Sequence, residues 1–188
     1  MPYLQNAGLF LIQTAFGFFI VIFLLRVLLI AVAAPFNEPI CRFVYQFTNR
    51  AVSPLRNIVP RWRRLEFTSL VIAYLLALVE LIVFVLLFGA ALSVASMLLR
   101  AAADVLDWIV LIELVAIFGY CILSFFPTAQ ADSNFRLLGR FTDPVVRPFR
   151  RWLPPLGGLD FSCWFAAIAL MLARMLIVAP LADFAARL

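Results

Sequence analysis

Residues 140–154 read RFTDPVVRPFRRWLP, a stretch in which arginines alternate with bulky apolar residues and prolines recur. Residues 47–60, FTNRAVSPLRNIVP, align with residues 141–154 without a gap. The offset is 141 − 47 = 94, which is half of the 188-residue chain. We therefore predict a tandem duplication, with one unit at residues 1–94 and the other at residues 95–188. Positions identical over 47–70 and 141–164 are Phe47, Thr48, Val52, Pro54, Arg56, Pro60, Leu65 and Phe67.

The composition indicates a membrane protein. Hydrophobic residues make up 66% of the chain and charged residues 13%, whereas about 25% of residues are charged in soluble domains. A membrane-spanning helix needs roughly 20 mostly apolar residues. We therefore predict an all-α membrane protein with four transmembrane helices, arranged as two tandem parallel repeats. The predicted spans are about Leu9–Ala31, Thr68–Gly89, Trp108–Phe126 and Phe161–Val178.

The arginines predict the orientation. Each unit consists of a span, a basic segment and a second span, so both copies would cross the membrane in the same direction. The two basic segments hold eleven arginines, whereas the connection between the units holds Arg100 alone. Because loops rich in Arg stay in the cytoplasm, we expect both basic segments to be cytoplasmic and both termini non-cytoplasmic. The expected location is the inner (plasma) membrane of a bacterium, as a multi-pass protein.

Each basic segment is predicted to be an amphipathic helix with arginines on one face and aromatic residues on the other. This pattern is typical of helices in the membrane interface. In the second copy the polar face holds Arg136, Arg140, Asp143, Arg147, Arg150 and Arg151, and the apolar face holds Phe135, Leu138, Phe141, Val145, Phe149 and Trp152. In the first copy Arg42, Gln46, Asn49, Ser53 and Arg56 oppose Ile40, Phe43, Val44, Phe47, Val52 and Leu55.

The arginine faces are candidate binding surfaces. Anionic membrane lipid is the favoured partner because each arginine near an anionic leaflet contributes ~1 kcal/mol. An unidentified protein partner is the alternative, since Arg and aromatic residues also anchor interfaces. Nucleic acid is disfavoured because the aromatic residues would face lipid. The candidates are Arg42, Arg56, Arg136, Arg140, Arg147, Arg150 and Arg151.

The prolines predict that the second basic segment is not one uninterrupted helix. Asp143 followed by Pro144 is a good helix start, and Pro148 follows too soon for an undisturbed helix. We expect a kinked or two-piece element that ends at Pro154-Pro155.

Charged residues also fall inside the predicted spans. Glu80, Glu113 and Arg174 lie near the middle of a span, where an unpaired charge costs ~2.5–3.5 kcal/mol. Arg174 and Glu80 occupy equivalent positions, since 174 − 80 = 94, and could form an ion pair; Arg174 with Glu113 is the competing pair. Arg26 lies closer to the cytoplasmic end and could extend to the interface. These charges would either hold the helices together or line an ion or proton pathway.

No catalytic, metal or cofactor site is predicted. The chain has no histidine, which removes the commonest general base and metal ligand. Asp104 and Asp107, in the predicted connection between the units, are interpreted as a solvated helix face. We therefore expect no enzyme activity and no cofactor.

With its duplication and its paired proline pattern, the chain resembles the YggT family of integral membrane proteins over nearly its full length. The pattern is Thr-x-Pro-x-x-x-Pro-x-Arg-x-x-x-Pro. The first copy departs from it at Arg50, where the family usually has proline, and at residues 61–64 (RWRR), which replace a glycine turn. The matching positions are Thr142, Pro144, Pro148, Arg150, Pro154 and Asp160 in the second copy and Thr48, Pro54, Arg56 and Pro60 in the first.

The resemblance implies a role in osmotic or potassium tolerance, in cell division and nucleoid organisation, or in assembly of a membrane cytochrome complex. It brings no defined catalytic residues. We therefore expect a non-enzymatic membrane scaffold or assembly factor. The alternative is a potassium or proton channel, and a chain of four spans would need to form a homo-oligomer for most pore designs.

Overall fold

A computed structural model describes residues 2–35, 38–55, 66–89, 92–126, 132–152 and 162–188. The described residues form helices joined by short connections, with no β-strand among them. The helices are α1 (Pro2–Ala31), α2 (Pro39–Leu55), α3 (Phe67–Phe88), α4 (Val94–Ser124), α5 (Ser133–Trp152), α6 (Ser162–Ala173), a π-helical turn (Arg174–Val178) and α7 (Ala179–Arg187).

Within the described ranges, four helical segments are long and apolar enough to cross a membrane, which confirms the predicted number. They are Asn6–Ala31, Phe67–Phe88, Val94–Ser124 and Ser162–Arg187. The last one runs through α6, the π-helical turn and α7.

The third span starts earlier than predicted. Its first turn is capped by Ser93, whose side chain accepts a hydrogen bond of 3.0 Å from the backbone N–H of Ser96. The helix then continues through Arg100, Asp104 and Asp107, for which the charge pattern predicted a connection between the units. The three charged residues did not mark the end of a span here, because a helix with a capped start can carry charged residues along one side.

Two helices end in the left-handed conformation. At the end of α1, Ala33 has φ 51°; its N–H bonds the carbonyl of Ile30 and the N–H of Ala34 bonds that of Leu29. These two bonds form a Schellman motif. Helix α3 ends at Gly89 with φ 65°, whose N–H bonds the carbonyl of Val85.

One hydrophobic core is shared by the two units. Ile20 and Leu24 of α1 and Ala73 of α3 pack with Ala101 and Val105 of α4. Small residues let membrane helices approach closely, and Ala73 and Ala101 are fully buried here.

A second cluster brings the two basic helices together. Cys41 and Val44 of α2 pack with Leu137 and Phe141 of α5, around Ala116 of α4. The corresponding segments of the duplication therefore meet in one place, on the side of the bundle where α1 ends.

The two-piece alternative for α5 is wrong, whereas the kinked alternative stays a prediction. The helix runs unbroken through Pro144 and Pro148, and it starts near Asp132, whose Oδ1 accepts from the N–H of Asn134 at 3.3 Å. Because proline has no N–H, the carbonyls of Arg140 and Pro144 lack the helical hydrogen bonds that residues 144 and 148 would otherwise donate. Both of these residues are exposed, so water or headgroups can satisfy the carbonyls. The predicted end at Pro154-Pro155 lies outside the described residues.

The π-helical turn precedes another proline. The N–H of Ala179 bonds the carbonyl of Arg174, five residues earlier. Pro180, at the start of α7, has no N–H and its ring crowds the carbonyl four residues back, which favours the wider turn. Such turns occur frequently at functional positions.

Candidate functional site

The basic face of α5 is exposed and its opposite face is buried. Leu137, Phe141 and Val146 are no more than 5% exposed and pack against the rest of the bundle. The exposed arginines of this helix are Arg136, Arg140, Arg147 and Arg151, and we call them the α5 arginine face. In α2, Arg42 and Arg50 are likewise exposed, whereas the predicted site residue Arg56 lies outside the described residues.

Arg150 differs from the other predicted arginines because it turns inward. Its Nη2 donates to the Tyr120 hydroxyl of α4 at 3.0 Å, and its guanidinium lies 5.4 Å from the centre of that ring. Its Nη1 is 3.7 Å from Oδ1 of Asp143. The sequence pattern grouped Arg150 with the exposed arginines, but the structure places it at the contact between α5 and α4.

The predicted aromatic faces do not behave alike. In the second copy Phe141 is 3% exposed, so the prediction that it faces lipid is wrong: α5 docks with this side on the bundle. In the first copy Phe43 and Phe47 are exposed, and Phe47 contacts Phe18 and Phe19 of α1. The four phenylalanines form an open aromatic patch.

A buried polar network joins three elements of the first unit. Arg26 of α1 forms a two-pronged pair with Glu66, with Nε–Oε2 2.6 Å and Nη2–Oε1 3.0 Å. Its Nη1 donates to the Thr48 hydroxyl of α2 at 2.7 Å. The Ser69 hydroxyl donates to Glu66 at 3.1 Å, and the Tyr45 ring lies 5.1 Å from the guanidinium.

This network corrects the expectation for Arg26. The side chain is enclosed by the protein and does not extend out of it, since the residue is 3% exposed and Glu66 is equally buried. One signal in the duplication does point to Glu66: it aligns with Asp160, so both copies carry a carboxylate at this position. The duplication does not identify the partner of Glu66, because the position equivalent to Arg26 is Tyr120.

The second unit has a different set of residues at the equivalent positions. The threonine is kept, as Thr48 and Thr142, whereas Tyr120 replaces Arg26 and Gly139 replaces Tyr45, each 94 positions later. A Cβ on Gly139 would lie only 3.2 Å from Cε2 of Tyr120. The aromatic ring has therefore moved from α2 in the first unit to α4 in the second, and the small residue makes room for it.

The threonines of the family signature have the same role in both units. Thr48 and Thr142 are fully buried, and their hydroxyls donate to the carbonyls of Val44 and Leu138 at 2.6 and 3.0 Å. The signature prolines Pro54, Pro144 and Pro148 are exposed. The signature positions Arg56, Pro60, Pro154 and Asp160 lie outside the described residues.

Both predicted partners of Arg174 are wrong. Its guanidinium pairs with Asp107 of α4, with Nε–Oδ1 2.5 Å and Nη2–Oδ2 2.8 Å. The pairing follows from α4 starting early, which brings Asp107 into a helix packed against the last span. Glu80 is half-buried with no described cation within ion-pair distance. Glu113 is 8% exposed, and its Oε2 has no hydrogen-bond partner among the described residues.

Comparison with known proteins gives the same duplication. The CCB3/YggT family profile matches residues 5–87 and 99–181, two segments related by the 94-residue offset. An uncharacterised protein, PA0392 of Pseudomonas aeruginosa, is 32% identical over 181 residues, covering 95% of this chain and 92% of that protein.

Two further relatives align over most of both chains. An uncharacterised protein in the proC 3' region of Vibrio alginolyticus is 29% identical, with 92% of this chain and 94% of that protein covered. The uncharacterised protein YggT of Escherichia coli K12 is 28% identical, with 91% and 89% covered. No solved structure matches the chain. The twofold family match, the four spans and the paired buried threonines lead to one conclusion: the chain belongs to the CCB3/YggT family.

Proposed function

We propose that this protein is a non-enzymatic membrane scaffold that gathers anionic lipid headgroups, and through them partner proteins, at the cytoplasmic side of a bacterial inner membrane. The observation that carries the proposal is the α5 arginine face. Four guanidinium groups are exposed along one side of a helix whose other side is fixed to the bundle.

The rigid attachment of α5 supports binding at this face. Because Leu137, Phe141 and Val146 anchor the helix, its backbone loses no further conformational freedom when the arginines bind a headgroup. Each exposed arginine near an anionic leaflet contributes ~1 kcal/mol, so the four on α5 amount to about 4 kcal/mol. Arg42 and Arg50 of α2 add to this on the same side of the bundle.

The direct test is lipid retention. Protein in nanodiscs containing equal phosphatidylglycerol and phosphatidylcholine is released in a mass spectrometer and its bound lipids are counted. We expect selective retention of phosphatidylglycerol by the wild type. Retention should fall at least threefold in Arg147→Gln/Arg151→Gln, since losing about 2 kcal/mol of attraction lowers affinity more than tenfold.

The matched control removes the same number of charges at the other end of the bundle. Arg100→Gln/Arg187→Gln should retain phosphatidylglycerol as the wild type does. Arg150→Gln is a separate variant, because Arg150 contacts Tyr120 and is expected to act on the position of α5. Equal lipid retention in the α5 variant and the wild type would refute the proposal.

Ion conduction is the second candidate, and Glu113 is the observation that favours it. A buried carboxylate oxygen with no hydrogen-bond partner among the described residues is costly in a membrane helix, and such residues line ion pathways in other proteins. The test is potassium and proton flux into liposomes by wild type and Glu113→Gln. Flux that the substitution abolishes, in folded and inserted protein, would make transport the primary function.

A further inference from the structure

A second feature of the bundle is an open cavity whose described lining includes no residue of α2 or α5. It has a volume of about 890 Å³ and lies between α1, the C-terminal half of α3, the N-terminal half of α4 and α7. Its size falls within the range of roughly 300–1,000 Å³ typical of small-molecule sites. The cavity is not part of the α5 arginine face.

Aromatic residues form much of its wall. Phe10 and Phe18 of α1, Phe84 of α3 and Trp108 of α4 line it. Trp108 is held against α1, because a Cβ on Gly17 would lie 2.9 Å from its Cζ2 atom. Aromatic faces attract organic cations, and tryptophan does so best.

The charges around the cavity do not balance. Three carboxylates line it, those of Glu80, Asp104 and Asp107. Asp104 pairs with Arg100 at 3.3 Å and Asp107 pairs with Arg174. When all of these groups are ionised, three carboxylates and two guanidinium groups leave one formal negative charge. Among the described residues this charge falls on Glu80, which has no cation within ion-pair distance.

The duplication indicates that the first unit lacks an ion pair which the second unit has. In the second unit Arg174 and Asp107 form an ion pair; the equivalent positions in the first unit, 94 residues earlier, are Glu80 and Gln13. Both of these side chains line the cavity. The first-unit positions in the cavity therefore carry a carboxylate and an amide, whereas their second-unit equivalents form a guanidinium–carboxylate pair.

From this juxtaposition we propose that the cavity binds a monovalent organic cation, an ammonium group carrying apolar substituents. The ammonium pairs with Glu80, and its substituents contact Trp108 and the phenylalanines. The same chemistry is offered by a free amphipathic amine and by the amine headgroup of a phospholipid, and these two sources can be separated by the choice of lipid in the binding measurement.

The first measurement uses tetraethylammonium as the probe. The full chain is placed in nanodiscs of phosphatidylglycerol, which has no amine, and binding of radiolabelled probe is measured by equilibrium dialysis. We expect saturable binding of one probe per chain. Glu80→Gln should weaken it at least tenfold, a loss of about 1.4 kcal/mol, whereas Glu38→Gln, which removes a carboxylate outside the cavity lining, should leave it unchanged.

A second variant tests the proposal even if Glu80→Gln does not fold. Gln13→Arg supplies a resident guanidinium beside Glu80 and so restores, with exchanged sides, the ion pair of the second unit. It should abolish probe binding while thermal unfolding occurs at or above the wild-type temperature. Gly17→Ala should weaken binding without changing any charge, because the added methyl group displaces the Trp108 ring.

The lipid source is tested by repeating the dialysis in nanodiscs that contain phosphatidylethanolamine. A weaker apparent affinity for the probe there, with phosphatidylethanolamine retained in the mass spectrometer by wild type but not by Glu80→Gln, identifies the headgroup as the ligand. Unchanged affinity identifies a free amine. The proposal is overturned if the wild type shows no saturable binding of either cation, or if Glu80→Gln binds as well as the wild type. Neither result would alter phosphatidylglycerol retention at α5.

Discussion

Ala33 occupies a backbone conformation that glycine adopts more easily. It is the described non-glycine residue with positive φ, and it ends α1 in a Schellman motif. Because a Cβ in the left-handed region costs roughly 1–2 kcal/mol, we expect Ala33→Gly to raise the free energy of unfolding by about 1 kcal/mol. The measurement is thermal unfolding in detergent micelles.

Gly89 provides the comparison for Ala33. It ends α3 with φ 65°, and nothing lies within 4 Å of the position that a Cβ would take, so Gly89→Ala adds backbone strain without a steric clash. We expect a loss of stability of about 1 kcal/mol. If both substitutions shift stability in the same direction, left-handed strain is not what limits these helix ends.

The Arg26–Glu66 pair is expected to be the most sensitive side-chain contact. Glu66→Gln leaves a buried guanidinium without its counter-charge, and breaking a buried pair in this way costs about 3–5 kcal/mol. Arg100→Gln breaks the more exposed pair with Asp104 and should cost under about 1 kcal/mol. Urea or thermal unfolding of both variants tests this order.

The double substitution Arg26→Leu/Glu66→Leu distinguishes the loss of the ion pair from the cost of leaving one buried charge unpaired. If most of the loss in Glu66→Gln comes from an uncompensated buried charge, removing both charges should recover much of the stability. No recovery would mean that the hydrogen bond from Arg26 to Thr48, rather than the charge balance, holds α2 in place.

At the scale of an element, the docking of α5 depends on Gly139. Its Cβ position lies 3.2 Å from the Tyr120 ring, so Gly139→Leu forces α5 away from α4, at a cost of about 1–3 kcal/mol. We expect faster amide hydrogen exchange throughout α5. Gly119→Leu on α4 is the control, because nothing lies within 4 Å of its Cβ position. Equal exchange of α5 in both variants would contradict the contact.

The elements also show why some sequence predictions failed. Pro144 and Pro148 are poor helix residues in general, but their exposed positions leave the lost carbonyl bonds open to solvent or headgroups. The start of α4 was missed because Arg100, Asp104 and Asp107 were assigned to the connection between the units, although the two carboxylates were interpreted as a helix face. The sequence does contain a local signal for this start, because serine is a common N-cap residue and Ser93 accepts a hydrogen bond from the N–H of Ser96. The charged residues that follow outweighed this signal in the prediction.

At the scale of the whole molecule, the two units are not independent. The core that joins α1 and α3 is completed by Ala101 and Val105 of α4, which belong to the second predicted unit. We expect residues 1–94 expressed alone to be degraded by protease in membranes. Co-expression with residues 95–188 should restore a protease-resistant complex that purifies together. A stable first unit on its own would contradict a shared core.

The hydrophobic runs predicted the number of spans, and the duplicated proline and arginine signature predicted the family. The spacing of the arginines predicted the four exposed arginines of α5 but not that Arg150 turns inward. These patterns could not predict the partner of Arg174. Repeat symmetry relates equivalent positions, here Glu80 and Arg174, whereas an ion pair depends on which helices are neighbours. Arg26 was misjudged for the same reason, since its distance from the helix end says nothing of Glu66, 40 residues later.

The 40-residue separation of Arg26 and Glu66 has a consequence for membrane insertion during synthesis. Where α1 enters the bilayer before residue 66 has left the ribosome, Arg26 has no Glu66 to pair with, and we expect its guanidinium to stay near the headgroups. When α3 follows, Glu66 neutralises the guanidinium, and only then can α1 settle at its final depth beside Thr48. The order of synthesis thus makes insertion of the first helix a provisional step, which the third helix completes.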